Sequence, residues 1–336
     1  MEGRLRPSFP GLTETVVAAL AGIPVGWRDR PLALCLSGGT DSSALAIVCA
    51  QGAVRERFPS GCEALHVRHR LRGAQSQGDA DSVHELCGKL GLPLRILDAP
   101  VAVGPGLEAR ARAERYRVLR AAAPKAVLAT AHHMDDQAET IILRLLRGAH
   151  VRGLAGIRPW REDGIWRPLL RTSRSDLERV CEDAMWIARL DSSNTDRTFQ
   201  RNAIRLDLLP DWEKEAPGVA HALAQLAEAS SRLSPALDRA LDRLAHRCAL
   251  MLDDRGFSLR LNSMSDPEAD PELILLLERT WSRLGRRPWA SQQLRRLISD
   301  AAGPGAGRRR GGQGEVAIWG GGNLRIERSL AKMPLA

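Results

Sequence analysis

Several residue classes are scarce in this chain, and each shortage removes a class of function. Only four of its 49 basic residues are lysines. The formal charge of +9 therefore reads partly as an arginine bias of composition and only partly as the footprint of a polyanionic partner. Aromatic residues make up 4%, too few for extended base-stacking platforms. No apolar run approaches the ~18 residues that a membrane span needs. The opening MEGRLRPSFPGLTETVVAALAGI has no sustained apolar core with a cleavage site, so no signal peptide is expected. Six cysteines, at positions 35, 49, 62, 87, 181 and 248, stand singly without a CxxC pair. They are expected to be reduced core residues of a cytoplasmic protein, not a disulfide frame or a zinc site. The chain contains no GxxxxGKS/T pattern, which excludes a P-loop nucleotidase, and no internal repeat.

Residues 32–50, LALCLSGGTDSSALAIVCA, are the most informative stretch. A short apolar run bounded by Pro31 and by glycines suits a buried parallel strand. Gly38 and Gly39 let the backbone turn and approach a ligand that a Cβ would obstruct. Ser37, Thr40, Ser42 and Ser43 add hydroxyls, and a helix beginning near Ser42 aims its unpaired N–H groups and positive dipole end at the loop. Strand, loop and helix together form a phosphate cradle. Asp41 would repel phosphate by itself, so its presence implies Mg²⁺ shared between carboxylate and phosphate oxygens. An ordinary Ser/Gly turn is the bland alternative.

The 336 residues are long enough for two or three domains. The first half alternates strand and helix patterns: strands at 32–36, 62–66, 94–97 and 126–130, and helices at 79–90, 107–122 and 136–147. Repeated βα units predict a doubly wound parallel sheet with ligands beyond the carboxyl ends of the strands. SGGTDS, HVRHRLRG and AHHMDDQAET each follow a predicted strand, so they should converge on one crevice. Further helices are expected at 175–189, capped by Ser173 and Asp176, at 217–250, 271–284 and 291–299, then a flexible basic loop, GPGAGRRRGGQG, and a hairpin of EVAIW and NLRIE. A domain boundary is expected at 215/216, between an α/β catalytic domain and a helical linker with a small α+β domain.

In TAHHMDDQAET, Asp135, Asp136 and Glu139 fall within the first turns of one helix. Capping would explain one or two acids, but not the adjacent His132 and His133. Zinc lacks a third ligand at a recognised spacing. Arg110, Arg112 and Arg115, on the helix of GLEARARAERYRVL, fit either a phosphate or a solvated face. Asn194, Asp196, Arg201, Asn202 and Arg205 form a second polar run. Arg201 and Arg205, one turn apart, suit adjacent phosphates or a solvated helix.

SGGTDS resembles the pyrophosphate-binding loop of the N-type ATP pyrophosphatases, the PP-loop enzymes, which cleave ATP between the α and β phosphates. With HVRHRLRG, GLEARARAERYRVL, HHMDDQAETIILRLLRG, RPLL and DSSNTDRTFQRNAIRLDLLP in this order, residues 30–212 resemble the tRNA(Ile)-lysidine synthetases. The resemblance continues more weakly through SQQLRRLI and the last hairpin, as the family's small tRNA-binding domain. It implies an adenine nucleotide α-hydrolase-like fold and a ligase that adenylates the wobble cytidine C2 oxygen in the CAU anticodon of tRNA(Ile), using ATP and Mg²⁺. Free L-lysine then displaces AMP to give lysidine. By the same resemblance Ser37, Gly38, Gly39, Thr40, Asp41 and Ser42 bind ATP, and Asp41 holds Mg²⁺. His133 faces the α-phosphate, and Asp136 and Glu139 attract lysine or deprotonate its amine. Arg112, Arg115, Asn194, Arg201, Asn202 and Arg205 meet AMP or tRNA. No membrane partner is implied, and a homodimer is left open. The sequence departs from the family at Arg70, where Gly is frequent, and the final domain of longer members is expected to be missing. The basic loop at Arg308 to Arg310 would then substitute in part for that domain's phosphate contacts, or serve as a linker.

Overall fold

The computed structural model describes residues 9–68, 74–101, 104, 106–149, 153–189, 200–262, 264, 271–286, 288–311 and 314–328. The chain divides into two compact units, Met1–Arg232 and Leu233–Ala336. That division falls within a long helix, whereas the change in sequence pattern near residue 215 marks where this helix is about to begin.

In the first unit, α1 (Pro10–Ala19) and the single turn α2 (Val25–Arg28) lead into strand β1 (Leu32–Leu36). Helices α3 (Thr40–Cys49) and α4 (Gly52–Arg55) follow, then β2 (Cys62–Arg68), α5 (Ala74–Leu90), β3 (Leu94–Asp98), α6 (Leu107–Ala122), β4 (Val127–Ala129) and α7 (Met134–Leu146). The sheet is completed by β5 (Trp160–Arg161) and β6 (Ile165–Trp166), giving the order β3-β2-β1-β4-β6-β5. All pairs are parallel except β5 with β6. Leu32, Ala33 and Leu34 have no exposed surface, as expected for a central strand with both faces covered. The chain runs outward from β1 to β3 and then returns to the other side of β1 with β4. This reversal opens a crevice beyond the carboxyl ends of β1 and β4. Helix α3 is buried along its whole length after Asp41, so it is anchored as firmly as the strand that precedes it.

Beyond the sheet lie α8 (Arg174–Asp183), α9 (Gln200–Ala203), a π-helical turn (Ile204–Leu208), α10 (Leu209–Glu215) and α11 (Val219–Arg247). Ser173 caps α8 as expected, accepting from the Asp176 N–H at 3.1 Å. The helix stops at Asp183, not at Arg189. The N–H of Trp186 returns to the carbonyl of Cys181 at 2.8 Å, and Met185 takes the left-handed conformation at φ 50°. This closure normally uses Gly or Asn, so no residue type announces it in the sequence.

The second unit has β7 (Met251–Leu252), β8 (Gly256–Arg260), α12 (Pro271–Arg283), α13 (Ser291–Ala302), β9 (Gly307–Arg310), β10 (Glu315–Gly320) and β11 (Asn323–Arg328). The strands form one antiparallel sheet, β7-β8-β11-β10-β9. The expected hairpin is β10 and β11, in register from Glu315↔Arg328 to Gly320↔Asn323. The expected flexible basic loop is corrected: residues 307–310 are an edge strand paired with 316–319. The glycine that suggested looseness has a packing reason, because a Cβ on Gly307 would sit 2.4 Å from the Trp319 ring. Arg309 is held by Asp300 at 2.7 Å. The inward face of the sheet, with Phe257, Leu259, Ala317, Leu324 and Ile326, packs under α12, α13 and the end of α11. No described helix is long and apolar enough to cross a membrane.

Candidate active site

The loop after β1 owes its shape to two residues. Gly38 has φ +94°, and a Cβ there would lie 3.3 Å from the Asp79 carbonyl oxygen on α5, so both backbone and packing require glycine. Ser42, expected to donate to phosphate, is buried instead. Its hydroxyl accepts from the Ser37 N–H at 3.1 Å and donates to the Gly39 carbonyl at 3.0 Å, which closes the loop on itself. Ser43 is buried as well. Gly39 is different, with an ordinary φ of −78° and no atom nearer than 3.7 Å to a built Cβ. Nothing within the fold demands glycine there, and the space over it is open. Helix α3 begins at Thr40, so its first free N–H groups point into the cradle.

The second half of the site follows β4. His132 is half-buried, with Nδ1 hydrogen-bonded to Thr130 Oγ1 at 2.9 Å. Burial lowers its pKa to about 3, and the nearby Arg167, Arg112 and Arg201 act in the same direction. It is a neutral imidazole. His133 is 1% exposed and has the opposite surroundings. Asp135 lies 3.4 Å from Nδ1, and Asp41 and Asp136 lie 3.5 and 3.6 Å from Nε2. Burial would lower its pKa, but the carboxylates of Asp135, Asp41 and Asp136 outweigh it and raise the value to about 10. These separations are those of ion pairs and exceed good hydrogen-bond lengths. Both ring nitrogens and Asp41 Oδ1 are buried without a hydrogen-bond partner, so the cationic imidazole and the Asp41 carboxylate retain unused bonding capacity at the crevice.

Beside them, two acids and two arginines form a closed quartet. Arg201 donates from Nε to Glu139 at 2.6 Å and from Nη2 to Asp136 at 2.7 Å. Arg205 donates from Nε to Glu139 at 2.5 Å and from Nη2 to Asp136 at 2.9 Å. Asp136 also accepts from the His133 N–H at 3.1 Å. Burial would raise the Asp136 pKa, but chiefly His133, Arg201 and Arg205 bring it to about 2. Sequence spacing offered Arg201 and Arg205 phosphates or solvent as partners; they bind carboxylates. Arg205 lies in the π-helical turn, a rare geometry that recurs at functional sites.

The remaining expected residues divide. Arg112 and Arg115 are exposed on α6, with Arg112 over the Tyr116 ring at 5.4 Å. Asn202 shares α9 with Arg201. Asn194 and Asp196, and residues 69–73 of the HVRHRLRG segment, lie outside the described residues. The sequence marks Asp135 only as one of three acids and does not single out Arg167. Asp135 accepts from the Arg174 N–H at 2.9 Å and faces His133. Arg167 is buried, donates to the Arg158 carbonyl at 2.6 Å, and its charge helps keep His132 neutral. Its signal was present in the RPLL segment. Among the described residues, no three His, Cys, Asp or Glu side chains are grouped to hold a metal ion by themselves.

Residues 13–212 match the PP-loop domain family. The chain is 39% identical over 239 residues to a tRNA(Ile)-lysidine synthase of Pseudomonas aeruginosa, covering 68% of this chain and 52% of that protein. It is 37% identical over 290 residues to one of Burkholderia mallei, covering 81% and 55%. The chain thus spans about half the length of the curated relatives it matches. Among solved structures, the U34-tRNA thiolase NcsA of Methanococcus maripaludis aligns with a TM-score of 0.54 at 19% identity, covering 66% of this chain and 79% of that one. That likeness is one of fold.

Proposed function

Because the chain belongs to the PP-loop domain family, we propose that it binds ATP and ligates L-lysine to the wobble cytidine of a CAU-anticodon tRNA(Ile), as the names of its relatives indicate for them. The observation that carries this reading is the convergence of the Ser37–Ser42 loop, His133 and the Asp136/Glu139 pair on one crevice at the β1/β4 reversal.

In the first step the cytidine C2 oxygen attacks the α-phosphorus, and pyrophosphate leaves. The α3 N-terminus and the loop amides hold the leaving phosphates. The cationic His133 lies where charge builds at the α-phosphate, a placement that stabilises the transition state electrostatically. Asp41 would hold Mg²⁺ together with phosphate oxygens, since a Mg²⁺ site commonly takes one or two carboxylates and completes its shell with substrate. Its buried, unpartnered Oδ1 supports that assignment, and the ion would neutralise charge on the triphosphate.

In the second step the lysine amine attacks C2 and AMP departs with the C2 oxygen. Only a neutral amine is nucleophilic. Asp136, with its pKa near 2, is a poor base, so its part is to attract and orient the cationic substrate. Glu139 is the remaining candidate to receive the proton as the quartet opens. Arg112 and Arg115, exposed on α6, would meet AMP or tRNA phosphate.

A thiolase shares the fold but needs reactive cysteines. Burial pushes Cys35 and Cys181 up to about 12 and Cys62 and Cys87 up to about 11, which leaves them without thiolate character. The decisive experiment incubates the chain with ATP, labelled lysine and an unmodified CAU-anticodon tRNA. Label should enter the tRNA with release of AMP and pyrophosphate. Sulfur transfer, or adenylation of a free small molecule without lysine incorporation, would overturn the proposal.

A further inference from the structure

Because α8 stops at Asp183, residues 184–189 leave the helix and run along α5 to the phosphate loop. Trp186 anchors them, buried and with the Lys89 ammonium 5.2 Å from the centre of its ring. At the far end the Arg189 N–H donates to the Gly38 carbonyl at 3.2 Å. The Arg189 side chain turns onto α5, where Nε donates to Asp79 at 3.1 Å. Its guanidinium lies so close to the helix backbone that a Cβ on Gly78 would sit 2.8 Å from Cζ. A glycine inside a helix weakens it, so Gly78 is accounted for by the group it seats. Asp79 in turn abuts the loop, its carbonyl oxygen 3.3 Å and its Cβ 3.6 Å from where a Gly38 Cβ would lie.

These contacts fix one peptide unit. The Gly38–Gly39 unit joins two glycines, the residue type least restrained in φ and ψ, so it is the part of the loop most able to rotate. A planar trans peptide holds its C=O and N–H on opposite sides. With the Gly38 carbonyl turned to Arg189, the Gly39 N–H is turned the other way. It reaches Ser37 Oγ at 3.4 Å, longer than a good N–H···O bond, and so can still donate to an anion. Rotation of the unit would present the carbonyl oxygen to that anion instead. An ion pair whose side chains are 46% and 39% exposed contributes little to stability, which makes fold stabilisation a poor account of Arg189 and Asp79. Holding one peptide in orientation demands far less.

We propose that Arg189 is a positioning residue for the terminal phosphates of ATP: its side chain, seated on Gly78 and Asp79, holds its own N–H against the Gly38 carbonyl and so keeps the Gly39 N–H facing the phosphates. The inference rests on the reading that the Ser37–Ser42 loop holds the pyrophosphate part of ATP. Calorimetric titration of the full chain with ATP, inorganic pyrophosphate and AMP, each with Mg²⁺, tests it. Arg189→Ala should bind ATP and pyrophosphate about three- to tenfold more weakly, the equivalent of one hydrogen bond, and bind AMP like the parent. Arg189→Lys keeps the charge toward Asp79 but not the planar fork, and should fall between the two. Gly78→Leu fills the guanidinium's seat with a good helix former. It should melt no lower than the parent yet lose pyrophosphate affinity as Arg189→Ala does, and it carries the test if Arg189→Ala does not fold. Unchanged pyrophosphate affinity in both variants would overturn the inference, as would an equal loss for AMP, which would mean general damage to the crevice. A parent chain that binds neither ATP nor pyrophosphate would refute the ATP reading itself and remove the inference with it.

Discussion

Replacing Glu139 by glutamine keeps shape and removes one charge from the quartet of Asp136, Glu139, Arg201 and Arg205. The Glu139 side chain is 1% exposed and contacts both guanidinium groups. Breaking a buried pair by removing one partner costs about 3–5 kcal/mol, because the other charge stays behind. Here the arginine side chains are 34% and 17% exposed, and Asp136 still holds both, so the lower limit of about 3 kcal/mol applies. In a unit of this size each kcal/mol moves the melting point by roughly 2–4 °C. Glu139→Gln should therefore melt about 6–12 °C below the parent by calorimetry. Arg205→Met should be destabilised similarly, and the double variant by clearly less than the sum, since contacting residues couple by about 0.5–3 kcal/mol. Single variants melting within about 2 °C of the parent, or strict additivity, would show that the quartet is not an energetic unit.

Three other outcomes follow from particular residues. Gly38→Ala should lose about 1–2 kcal/mol from its left-handed backbone. Gly39→Ala should melt like the parent yet bind ATP more weakly by calorimetric titration; equal melting losses in both would refute the division of roles between them. The depressed pKa of Asp136, about 2 against the ordinary 3.8, contributes stability that is present above the unfolded value and lost as pH falls through 2. Denaturant unfolding between about pH 4 and 2 should show a decline of about 2 kcal/mol that Asp136→Asn lacks, and an identical decline in that variant would exclude Asp136 as its source. In the second unit, the buried Glu315 carboxylate accepts from the Trp281 and Trp289 indoles at 2.9 and 2.8 Å. Glu315→Leu should strand both donors at about 1–3 kcal/mol each and red-shift tryptophan emission, while unchanged emission would mean the indoles find other acceptors.

What the sequence revealed follows the range of the forces involved. Strand, glycine loop and helix at residues 32–49 are fixed by neighbours a few positions apart, and βα repetition then dictates a crevice where β1 and β4 part. Both were therefore legible. The end of α8 was not, because Met185 adopts a conformation that its residue type does not advertise. Strand β9 was hidden for a related reason: Gly307 makes room for Trp319, and spacing alone cannot distinguish room for a ring from freedom to flex.

The quartet was the least legible feature of the site, and its partners lie 62 to 69 positions apart in the chain. Residue spacing offered the arginines phosphate or solvent, and the family resemblance gave the acids to lysine. Each half satisfies the other, since charges buried there would otherwise remain uncompensated. A cationic substrate reaching Asp136 and Glu139 must then compete with Arg201 and Arg205, and the guanidinium groups it displaces become available to an anion in the same step. On the proposed ligase reading, the amine and the anionic adenylate would share one rearrangement of a single ion-pair cluster. Such a coupling would make lysine affinity depend on whether the tRNA is already adenylated. Lysine binding measured with and without ATP and tRNA reads it directly, and equal affinities in the two conditions would exclude it.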